Sequence, residues 1–128
     1  MSHTLIAAGM VSIALGAVSG FALALAVDSP RSLQRIGIAH PARVRQVHLD
    51  WIIMGLVLVA TGVAVPDIHR VAGVLVLAGA IVNPLLFLPL AVRSEASAHP
   101  VYRVVTGVSF TSLSAGLVVA AGQAVGLL

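Results

Sequence analysis

Four apolar stretches alternate with short polar or basic ones along the chain, at about residues 5–27, 43–65, 70–92 and 101–127. A hydrocarbon core of about 30 Å is crossed by roughly 20 apolar residues in helical form. Lipid cannot satisfy open backbone groups, so each stretch is expected to be a helix. The pattern therefore predicts an all-α integral membrane protein. It is a single domain over residues 1–128, with four transmembrane helices in an antiparallel bundle. The connections, at 28–42, 66–69 and 93–100, leave no room for a soluble domain. The first stretch ends in ALALA, which looks like a signal-peptidase site. It has no basic lead-in and its apolar run exceeds the ~7–15 residues of a signal core, so it is expected to stay as a helix.

Composition strengthens this reading. Hydrophobic residues make up 59% of the chain and charged ones 9%, against about 25% charged in a soluble domain. The expected partner is the lipid bilayer. The net charge of +3 does not point to nucleic acid, because the basic residues flank the apolar stretches. With no Cys, disulfides, thiolate ligands and iron–sulfur clusters are excluded. Arg31, Arg35, Arg43, Arg45, Arg93 and Arg103 fall on one side of the predicted bundle, and only Arg70, near Asp67, on the other. The positive-inside rule then puts both arginine-rich linkers in the cytoplasm and both termini outside, in the inner (cytoplasmic) membrane.

Small and polar positions refine the helices. Gly16 and Gly20 form a GxxxG with Gly9 seven residues earlier, and Gly122 and Gly126 form a second. Small residues at such spacings let helices approach closely. In the linker, Leu33, Ile36 and the nearby arginines fit either a short interfacial helix or an irregular loop. Pro41 suits a first helical turn. Pro84 and Pro89 interrupt the third stretch and predict a kink. The triplet Ala-His-Pro occurs at 39–41 and again at 98–100, which would fit a two-plus-two repeat. Thr106, Ser109, Thr111, Ser112 and Ser114 should bond between helices or to their own backbone.

The second stretch carries most of the chemistry. His48, Ile52, Gly55, Val59 and Gly62 share one helical face, with an imidazole at one end and two glycines below it. A haem laid on Gly55 and Gly62 would place its iron at His48 and its propionates near Arg43 and Arg45. Equally, His48 could be an interfacial histidine hydrogen-bonded to a neighbouring helix. Trp51 shares the His48 side as an interface anchor or a pocket wall. Asp50 points elsewhere and is expected to pair with an arginine. His40 and His99 would be the candidates for a second axial ligand, but as loop His-Pro pairs they are expected to be solvated. Asn83 is either a helix–helix hydrogen bond or a pocket amide.

Two sets of spacings carry a resemblance. His48 is followed by Gly55 at seven residues and Pro66 at eighteen. Gly73 is followed by Asn83 at ten, and Phe87 comes four further. In these positions the chain resembles the styrene oxide isomerase family. The family implies a small four-helix membrane protein, a homotrimer, holding haem b. Its ferric iron acts as a Lewis acid that isomerises a small lipophilic epoxide to a carbonyl compound without net redox change. By resemblance His48 is the iron's axial ligand, and Asn83, Phe87 and Met54 fall at the substrate-handling positions. The family has Asn where this chain has Met54 and Tyr where it has Phe87, so two hydrogen-bonding groups are missing here. The other functions left open are a non-enzymatic b-type cytochrome and a helical subunit of a membrane complex.

Overall fold

The computed structural model describes residues 1–127 and is helical nearly throughout. Helix α1 is Ser2–Asp28, α2 is Pro30–Arg35, α3 is Pro41–Ala64, α4 is Arg70–Val92 and α5 is Pro100–Ala124. A single 3₁₀ turn, Ser94–Ala98, joins α4 to α5. Helices α1, α3, α4 and α5 are each long and apolar enough to cross a membrane. Large side chains such as Phe21, Val63, Val104 and Val118 lie on the outside, which suits lipid rather than water.

Prolines set the helix starts. Pro30, Pro41 and Pro100 each open a helix, where the missing N–H costs nothing. Both Ala-His-Pro triplets are therefore helix starts, with His40 and His99 as N-caps. The linker forms a short helix, α2, with Leu33 buried. It closes on Gly37 at φ +91, with Gly37 and Ile38 N–H groups returning to the Gln34 and Leu33 carbonyls.

The C-terminal helix is shorter than expected. It stops at Ala124 rather than continuing to residue 127, because Gly126 adopts φ +72. Leu127 N–H then reaches the Gly122 carbonyl at 2.8 Å, and Gly126 N–H reaches that of Gln123 at 3.1 Å. Gly126 thus forms a left-handed glycine stop, and nothing lies within 4 Å of where its Cβ would be.

The helices pack in the order α1–α3–α4–α5, and α1 makes no contact with α5 among the described residues. The core lies along this row and includes Leu5, Leu58, Val76, Ala80 and Leu113. Glycines set how closely the helices approach. A Cβ on Gly9 would lie 2.6 Å from the Gly55 carbonyl oxygen, and one on Gly55 would lie 2.8 Å from that of Gly9. Gly79 meets Leu113, and Gly116 meets Val76 and the Ala72 carbonyl. Hydroxyls of α5 then tie it to α4: Tyr102 to the Leu86 carbonyl (3.1 Å), Ser109 to Gly79 (3.2 Å) and Ser112 to Leu75 (2.9 Å). Thr106 instead donates to its own helix, at the Tyr102 carbonyl.

The two ends of the bundle differ. His40 N–H bonds the Ala91 carbonyl, which brings the 28–42 and 93–99 connections to one end with six of the arginines. At the other end Met1 packs on Gly73, and His69 N–H bonds the Gln123 side chain.

Candidate functional site

His48 sits where α3 crosses the glycine side of α1. Gly16 gives way to Ile52, and Gly20 gives way to the imidazole, whose Cε1 is 3.4 Å from where a Gly20 Cβ would be. His48 Nδ1 is 2.8 Å from the Gly16 carbonyl oxygen and 3.2 Å from the Ser19 hydroxyl. Ser19 donates its own proton to that same carbonyl, at 2.7 Å. A carbonyl only accepts, so Nδ1 must carry the ring hydrogen. In a ring with that single hydrogen the lone pair lies on Nε2, which has no hydrogen-bond partner among the described residues. A metal-binding histidine is normally prepared in this way, with one nitrogen held by a backbone carbonyl and the other left to ligate.

The glycines below His48 do not form an open slot. The haem-facing role expected for Gly55 and Gly62 is corrected here: both lie against α1. Gly55 meets Gly9 and Ile13, and Gly62 meets Ser2 and Ile6. The same flat surface that would accept a macrocycle accepts a helix. Arg43 donates to Gln46 at 2.6 Å, Arg45 is exposed and Trp51 is half-buried. No group of three or more metal-ligating side chains is found among the described residues. A haem iron needs only one protein ligand, and His48 fits that requirement.

The positions that the resemblance assigns to substrate do come together. Met54, Asn83 and Phe87 line one cavity of about 340 Å³ between α3, α4 and α5. Asn83 is buried, accepts from Ser109 at 2.8 Å, and has its amide nitrogen 3.7 Å from the Met54 sulfur. It is thus both an interhelical bond and a pocket amide. His48 does not line this cavity, so within one chain its imidazole and the wall of Met54, Asn83 and Phe87 are separate.

Asp50, Tyr102, Thr106 and Phe110 also line the cavity, and sequence reasoning did not place them there. The expected Asp50–arginine pair does not form: its Oδ2 is buried with no hydrogen-bond partner. Two residues after His48, its side chain turns toward α4 and α5 rather than α1. A signal for the α5 wall was present, since Tyr102, Thr106, Phe110 and Leu113 recur on one helical face. His99 uses Nδ1 to cap its helix, accepting from Val101 N–H at 3.3 Å, and His40 is exposed.

Comparison with known protein families, with characterised proteins and with solved structures finds no match to this chain.

Proposed function

We propose that this chain is a haem b-binding membrane protein of the styrene oxide isomerase type, acting on a small lipophilic epoxide. The observation that carries the reading is the Nδ1 hydrogen bond from His48 to the Gly16 carbonyl, which leaves Nε2 as a free, oriented ligand. Haem b, when bound, would supply a ferric Lewis acid for the epoxide oxygen. The chain's own part is to hold the imidazole through Gly16 and Ser19, to offer Arg43 and Arg45 at the same end for carboxylates, and to enclose substrate beside Asn83, Phe87 and Met54. Because His48 lies outside that cavity, joining ligand and substrate wall calls for a second copy of the chain, in keeping with the homotrimer that the resemblance implies.

The test is turnover. Haem-loaded ferric protein, purified in detergent, should convert styrene oxide to phenylacetaldehyde with no reductant added. Dithionite should suppress the reaction, because ferrous iron is the weaker Lewis acid. Haem-loaded protein that isomerises no lipophilic epoxide would overturn the enzyme reading and favour a b-type cytochrome.

A further inference from the structure

The cavity between α3, α4 and α5 has a polarity of its own. Each hydroxyl proton in it is already committed: Tyr102 donates to the Leu86 carbonyl, and Thr106 to the Tyr102 carbonyl. The Asn83 amide nitrogen makes only the long contact with the Met54 sulfur. What remains unsatisfied is an acceptor, since Asp50 Oδ2 is buried and unpartnered. Phe87, Phe110 and Tyr102 supply three aromatic rings to the same wall. A buried acceptor with no donor is a costly arrangement unless a ligand brings the donor. Aromatic faces attract positive charge, and more strongly once water is removed.

We propose that this cavity binds a small lipophilic ammonium, with Asp50 as its counter-ion and the rings of Phe87, Phe110 and Tyr102 around its positive charge. A volume of about 340 Å³ suits one aromatic ring with a short aminoalkyl chain. The ammonium N–H groups satisfy Asp50, and the pair is strong because the surroundings are apolar. The site does not depend on haem, since His48 takes no part in it. The same preference for positive charge would favour the carbocation that forms as an epoxide C–O bond opens, so the site is compatible with the isomerase reading without resting on it.

The test is calorimetric titration of the full chain in detergent with phenethylammonium, against phenethyl alcohol as a neutral analogue of the same shape. The wild-type chain should bind the ammonium at least about tenfold more tightly than the alcohol. Asp50→Asn should remove most of that advantage, lowering ammonium affinity far more than alcohol affinity, because both ligands can donate to Asp50 but only the ammonium is paired with its charge. Phe110→Leu, a mild change on a lipid-facing helix, should weaken ammonium binding several-fold and serves if Asp50→Asn does not fold. Equal affinity for the two ligands in the wild-type chain, or unchanged ammonium affinity in Asp50→Asn, would overturn the proposal.

Discussion

Replacing Gly55 by Ala adds one methyl group where α1 and α3 approach closely. That carbon would lie 2.7 Å from Ile13 Cγ1, 2.8 Å from the Gly9 carbonyl oxygen and 2.9 Å from Ile13 N. A flexible side-chain end could rotate away, but two of the three atoms are backbone. The helices must therefore separate by a sizeable fraction of an ångström over their contact. Overpacking of this kind costs about 1–3 kcal/mol. Gly107 is the control: nothing lies within 4 Å of its would-be Cβ, and it is interior to α5. There, Ala should stabilise by about 0.5–1 kcal/mol, through backbone entropy and helix propensity. Gly9→Ala attacks the same gap from α1, so the Gly9/Gly55 double variant should cost less than the sum of the two single ones. Reversible unfolding in mixed micelles, followed by circular dichroism, reads all four variants. Gly55→Ala matching or exceeding the wild type would mean that α1 does not cover this face, and the haem-facing assignment of Gly55 and Gly62 would return.

Other outcomes follow from single contacts. Tyr102→Phe removes the hydroxyl bond to the Leu86 carbonyl and should destabilise by about 0.6–1.7 kcal/mol in the same assay, the range for interhelical bonds in membranes. Gly126→Val forces a branched residue into φ +72 and should fray the end of α5, read as faster amide exchange confined to residues after Ala121. Reporter fusions should place both termini outside the cytoplasm, since six arginines lie at the opposite end of the bundle; termini active only in the cytoplasm would reverse the orientation.

Much of the architecture was legible because lipid leaves few options for an apolar chain. Helix α4 runs over the residues expected of the third apolar stretch, and the other long helices differ mainly at their ends. Those ends depend on a single residue's φ, as at Gly126, which apolar periodicity does not register. The site was legible in part. The resemblance named Met54, Asn83 and Phe87 together and the fold brings them to one cavity, yet the sequence could not say what covers the Gly55 and Gly62 face, because a macrocycle and a glycine-lined helix need the same flatness. Gly9, Gly16 and Gly20 carried the answer, but it becomes readable only once α1 is paired with α3. Asp50 was misjudged for a similar reason. The arginines at its end of the helix suggested a partner, while the helix carries its side chain to the face where α4 and α5 enclose a cavity.

The most direct test of the central claim is the absorption spectrum of the chain purified from haem-replete cells, beside that of His48→Ala. Ligation through Nε2 predicts a Soret band in the wild-type chain and its loss in the variant, with the helical circular dichroism of both preserved. A wild-type chain that carries no haem, or a His48→Ala variant with an unchanged Soret band, would contradict it.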